Sequence, residues 1–67
     1  MDICEKFGKR VKKARNDMGV SQEELAHRAD SNRTYISDVE RGTRNPSIEV
    51  VERIAKALNV TIGSLLD

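Results

Sequence analysis

Apolar side chains recur at three- or four-residue steps from Ile3 through Phe7, Val11 and Ala14 to Met18, which is the spacing of one stripe on an amphipathic helix. Gly19 follows, the residue that best closes a helix in a left-handed conformation. Ser21 and Glu24 have the spacing of a capping box, the serine accepting from a backbone N–H and the glutamate reaching back. Leu25, Ala26 and Ala29 give the second helix a small inner face. Ser31 or Asn32 can cap a third helix that runs to Arg41, with Ile36 and Val39 inward and Gly42 as its stop. After the loop TRNP, Ser47 caps a fourth helix with Val51, Ile54, Ala55 and Leu58 inward. Asn59 suits a left-handed end, and Thr61 opens a short last helix containing Ile62, Leu65 and Leu66. No segment alternates with the period of a strand, and no repeat, linker or low-complexity run interrupts the pattern. The expectation is an all-α fold of five helices in a single domain over residues 1–67.

The second and third helices are separated only by about Asp30 to Asn32, so they must cross steeply, as in a helix-turn-helix. Ala26 is small enough to let them approach. The third helix is held from behind by Ile36 and Val39, which leaves Arg33, Thr34, Tyr35, Ser37, Asp38 and Arg41 for a partner. The major groove of B-DNA admits one such helix and lines it with donors, acceptors and thymine methyls. Arg33 can pair bidentately with guanine, Thr34 can offer a methyl to thymine and a hydroxyl to a base or phosphate, and Ser37 can bond either kind of edge. Tyr35 and Arg41 are placed to reach phosphates. The polar third helix therefore reads as a DNA-recognition helix.

Size and charge sharpen this picture. A chain of 67 residues buries only about 60% of the surface its unfolded form exposes, so oligomerisation is a ready source of stability. Val60, Ile62, Leu65 and Leu66 supply apolar area for a two-fold interface at the end of the chain, and Leu65 is the one expected to turn inward instead. The net charge is only +1, yet Lys6, Lys9, Arg10, Lys12, Lys13 and Arg15 crowd the first helix, and Arg28, Arg33, Arg41 and Arg44 fall in the middle. The front of the molecule is basic and the segment after Pro46 neutral to acidic.

Other chemistries find little support. Cys4 is the only cysteine, which excludes an intrachain disulfide and favours a reducing, cytoplasmic setting. There is no apolar start typical of a signal peptide and no run long enough for a membrane. No metal-ligand spacing, catalytic constellation or cofactor motif is present; His27 is the lone histidine. Tyr35 and Phe7 are the only aromatics, too few for a platform that stacks single-stranded bases. The expectation is a non-enzyme.

Three stretches, SQEELAHRA, YISDVERG and NPSIEVVERIAKALNV, resemble the helix-turn-helix domain of the lambdoid phage repressors and Cro, also called the xenobiotic response element family. The likeness spans nearly the whole chain and implies the five-helix lambda-repressor-like fold. The run DSNRTYISDVERGTRNPS is most similar to the controller proteins of restriction–modification systems. The resemblance implies that Gln22 holds a phosphate at the start of helix two, that Arg33, Thr34 and Ser37 read bases, and that Tyr35 contacts the backbone. It also implies that Arg44 and Asn45 touch phosphate and sugar, that Arg15 and Glu40 form a structural ion pair, and that helix five supplies the dimer surface. In this family glycine usually stands where the chain has Asp30, so a left-handed aspartate is expected in the turn.

The combined expectation is a homodimer on an inverted repeat in double-stranded DNA. By resemblance to the controllers, it would activate at low dose and repress at high dose. Activation calls for RNA polymerase as a further partner, and the acids Asp38 and Glu40 lie near where it would touch, with Glu40 taken up by Arg15. A phage-type repressor or an antitoxin domain would have much the same sequence. A helical protein-binding module that never reads DNA is the alternative of a different class, and the polar face of the third helix argues against it.

Overall fold

The computed structural model describes residues 2–67 and contains α1 (Ile3–Met18), α2 (Gln22–Arg28), α3 (Arg33–Arg41), α4 (Ile48–Ala57) and α5 (Ile62–Leu66). No strand occurs among the described residues, so the all-α expectation and the helix order hold. No described helix is long and apolar enough to cross a membrane.

Each helix begins at a short polar side chain that takes one of the backbone N–H groups left orphaned at a helix start. Asp2 accepts from Glu5, Ser21 from Glu24, Asn32 from Tyr35, Ser47 from Val50 and Thr61 from Ser64. Asn32 rather than Ser31 thus caps α3, with Oδ1 at 2.9 Å from the Tyr35 nitrogen. Only half of the capping box forms at α2. Ser21 Oγ accepts from the Glu24 nitrogen at 3.0 Å, whereas the Glu24 carboxylate takes Arg28 Nε at 2.8 Å instead of reaching back. A cation one turn ahead offers that carboxylate a charged donor, which a backbone N–H does not match.

A left-handed residue follows each of the first four helices. Gly19 and Gly42 (φ 75° and 77°) close α1 and α3, and Asp30 and Asn59 (φ 55° and 57°) follow α2 and α4. The expected left-handed aspartate in the α2–α3 turn is therefore present. Behind it, the Ser31 nitrogen donates to the Ala26 carbonyl at 2.7 Å and fixes the turn.

The core is formed by Phe7, Val11, Leu25, Ala26, Ala29, Ile36, Val39, Val51, Ile54, Ala55, Leu58 and Leu65. α3 packs against both α1 and α2, α5 against α1 and α4, and α4 against α2. The apolar stripe on α1 is buried only in its middle. Ile3 is 62% and Met18 40% exposed, because α1, at 16 residues, outruns the shorter helices beneath it. Gly8 is where α1 and α3 cross. A β-carbon there would lie 2.3 Å from the Val39 carbonyl oxygen and 2.8 Å from that of Glu40, so the crossing requires a residue without one. Neither the apolar periodicity nor the caps marked this position.

Candidate nucleic-acid interface

α3 owes its orientation to two side chains, Ile36 and Val39, both fully buried. At about 100° per residue, the direction opposite this pair passes between Thr34 and Arg41, with Ser37 and Asp38 about 50° to either side and Arg33 on the flank. Arg33, Thr34 and Arg41 are exposed and Ser37 is half-buried. The three expected base readers, Arg33, Thr34 and Ser37, thus lie within one outward arc.

This surface is organised before any partner arrives. Arg41 Nη1 donates to Ser37 Oγ at 2.9 Å, and Arg41 Nη2 donates to Asp38 Oδ1. Arg44 Nη2 lies 4.0 Å from Asp38 Oδ2, and its guanidinium sits 4.5 Å from the centre of the Tyr35 ring, a cation–π contact. The α3–loop junction is closed by Thr43, whose nitrogen and hydroxyl both donate to the Asp38 carbonyl. Of the expected backbone contacts, Tyr35, Arg41 and Arg44 lie together at this edge, and Asn45 is exposed in the loop beyond it. Asp38, one of the two acids expected to lie near an RNA polymerase contact, is engaged with these two arginines.

A second network ties α3 to the rest of the fold. Arg15 donates from Nε to Glu40 Oε2 at 2.6 Å and from Nη2 to Oε1 at 3.1 Å, while its Nη1 reaches the Val20 carbonyl at 2.9 Å. The two side chains are only 11% and 3% exposed. The hydrogen bond from Arg15 to Glu40 pushes the Arg15 pKa up, against the lowering effect of burial, and the expected α1–α3 ion pair is present. Gln22 Nε2 joins it, donating to Glu40 Oε1 at 3.0 Å. The residue expected to hold phosphate is thus itself held from behind. On α2, Arg28 lowers the Glu24 pKa, mainly through its hydrogen bond.

Of the four residues expected at a dimer surface, Leu65 is 2% exposed and belongs to the core. Val60, Ile62 and Leu66 are half-buried and pack against it from outside. Among the described residues, the most exposed large apolar side chain is Ile48, at 70%. Together with Ile3, Phe7, Pro46, Val51 and Leu66 it borders an open groove of about 260 Å³. Sequence reasoning missed Ile48 because it precedes the α4 stripe that supplies the core.

The profile of the helix-turn-helix family matches residues 11–65. The chain belongs to this family. Among its curated relatives, the control protein C.BamHI of Bacillus amyloliquefaciens is 52% identical over 62 residues, covering 91% of this chain and 76% of that one. The control protein C.SmaI of Serratia marcescens is 42% identical over 66 residues, covering 98% and 79%. Among solved structures, the restriction–modification controller protein C.AhdI from Aeromonas hydrophila superposes with a TM-score of 0.90 at 39% identity, covering 92% of this chain and 90% of that one. In helix-turn-helix terms α2 is the first helix of the motif and α3 the recognition helix.

Proposed function

We propose that this helix-turn-helix chain is a sequence-specific regulator of transcription, not an enzyme, and that it acts as a homodimer on an inverted-repeat operator. The observation that carries the reading is α3: two buried aliphatics anchor it, and its outward arc is entirely polar, with arginines grouped at one edge. Each protomer sets α3 in one of two successive major grooves about 34 Å apart. Arg33, Thr34 and Ser37 meet base edges, while Gln22, Tyr35, Arg41, Arg44 and Asn45 hold the sugar–phosphate backbone. The second copy covers Val60, Ile62 and Leu66, and Leu66 also borders the open groove beside Ile48.

The controller proteins to which the chain is similar favour a place in a restriction–modification system; there it would sit at the promoter of its own gene and that of the endonuclease, with RNA polymerase as the further partner. Selection from a random pool of duplexes at near-physiological salt tests the core of the reading. Enrichment of an inverted repeat with half-sites about one helical turn apart is expected; a folded protein that enriches nothing overturns it.

A further inference from the structure

We infer that Asp38 is a specificity-determining residue of the DNA-reading surface, its carboxylate accepting a hydrogen bond from the exocyclic amino group of a cytosine or adenine in the major groove. The inference rests on the DNA-binding reading above and goes beyond it, because Asp38 is not one of the base readers of that reading.

Asp38 lies as close to the outward direction of α3 as Ser37 does, on the other side of the Thr34–Arg41 line. A carboxylate can only accept hydrogen bonds. In the free protein its hydrogen-bond donor is Arg41 Nη2, and Arg44 Nη2 lies 4.0 Å away as an ion-pair partner. Both arginines are exposed, one in the last turn of α3 and the other in the following loop, and both have the reach to turn toward phosphate. When they do, the carboxylate is left facing base edges, and a carboxylate so placed gains most from a directly bonded donor. Cytosine N4 and adenine N6 are the amino groups available there, whereas guanine and thymine present only acceptors, with a methyl on thymine. On a duplex without the right amino group the carboxylate either retains its arginines, which weakens their hold on phosphate, or goes unpaired. One side chain thereby favours a particular base and lowers the affinity for all other DNA.

The contribution of Asp38 to the fold runs through its main chain. Its carbonyl accepts from the Thr43 nitrogen and hydroxyl at 3.1 and 3.2 Å, and a change of side chain leaves those bonds in place. Asp38→Asn keeps the shape and one acceptor, removes the charge and adds a donor.

The experiment runs wild type, Asp38→Asn and Asp38→Ala in parallel, each shown to be folded by circular dichroism. The readouts are selection from a random duplex pool, and affinity for the wild-type operator and for a scrambled duplex of equal length. We expect Asp38→Asn to bind the scrambled duplex several-fold more tightly and to lose about tenfold in the ratio of operator to scrambled affinity. Its selected pool should change base preference at one position per half-site, and the Asp38→Ala protein should lose preference there. Identical selected sequences in all three proteins, with operator and scrambled affinities shifted by the same factor, would reduce Asp38 to a support for Arg41 and Arg44 and overturn the inference. A wild-type pool without enrichment overturns the DNA-reading proposal itself, which distinguishes the two failures.

Discussion

Replacing Gly8 by alanine tests the α1–α3 crossing directly. In an exposed helix interior the change stabilises by about 1 kcal/mol, because alanine loses less backbone entropy than glycine on folding. Here the new β-carbon would stand 2.3 Å from the Val39 oxygen and 2.8 Å from the Glu40 oxygen, against 3.4 Å for an ordinary contact. The helices would have to part by about 1 Å, and since both obstacles are backbone, no rotamer change can relieve them. Overpacking costs about 1–3 kcal/mol, and this case sits at the upper end. The offset from helix propensity leaves a net loss of about 2 kcal/mol. For a domain of this size that is a fall in Tm of about 8–16 °C. The assay is thermal denaturation followed by circular dichroism, at one fixed protein concentration so that dimerisation does not shift the midpoint. Two glycines serve as controls. Gly63 has nothing nearer than 3.6 Å and an ordinary backbone, so Gly63→Ala should be neutral or stabilising. Gly19 has open space but φ 75°, so Gly19→Ala should lose about 1 kcal/mol from conformation alone. A Gly8→Ala protein that melts at or above wild type would refute the crossing.

Asp30 holds φ 55° with a side chain attached, so Asp30→Gly should raise Tm by a few degrees, up to about 1 kcal/mol, without abolishing DNA binding; a lower Tm would contradict the left-handed turn. Arg15→Met with Glu40→Leu should be milder in urea denaturation than either single change, because removing one partner of a buried pair strands the other charge at about 3–5 kcal/mol. Arg28 lowers the Glu24 pKa, so that pairing supports the fold above the ordinary glutamate range and is lost as pH falls through the lowered value; Arg28→Ala should move the Glu24 titration upward by NMR. Arg33→Ala should cost about 1–3 kcal/mol at the operator and relax one base position per half-site, while Gln22→Ala weakens all duplexes alike. If about eight phosphates are neutralised per dimer, log affinity should fall against log salt with a slope near about −7, and a flat line would exclude phosphate-held binding. Ile62→Glu should give monomers by analytical ultracentrifugation; a dimer that survives it places the interface elsewhere.

What the sequence made legible was what is local. Caps, left-handed stops and three- and four-residue apolar steps act within one helical turn, so Ser21, Asn32, Ser47, Thr61, Gly19 and Gly42 set the helix limits, and Ile36 with Val39 set the outward arc of α3. The Arg15–Glu40 pair, 25 positions apart, came from family resemblance and not from spacing. Contacts between elements without a local signature stayed hidden. Arg53 Nε donates to the Ala29 carbonyl at 2.9 Å and pins α4 to the end of α2. Arg10 Nη1 reaches the Ser64 carbonyl at 3.1 Å and ties α1 to α5. Either arginine reads along the chain as one more solvated cation. Gln22 on Glu40, Arg44 over Tyr35 and the engagement of Asp38 were hidden for the same reason, since which donor finds which acceptor depends on the crossing of helices and not on the residues beside it.

The separation between the anchors of α3 and its outward arc bears on how such a protein can change over generations. Ile36 and Val39 keep the helix seated whatever stands at Arg33, Thr34 or Ser37, and surface substitutions away from caps and packed positions usually alter stability by no more than about 0.5 kcal/mol. On the proposed reading of this arc, mutation can therefore rewrite the operator a lineage recognises without passing through an unfolded ancestor. Two descendants of one gene can come to serve different promoters in the same cell while sharing a scaffold.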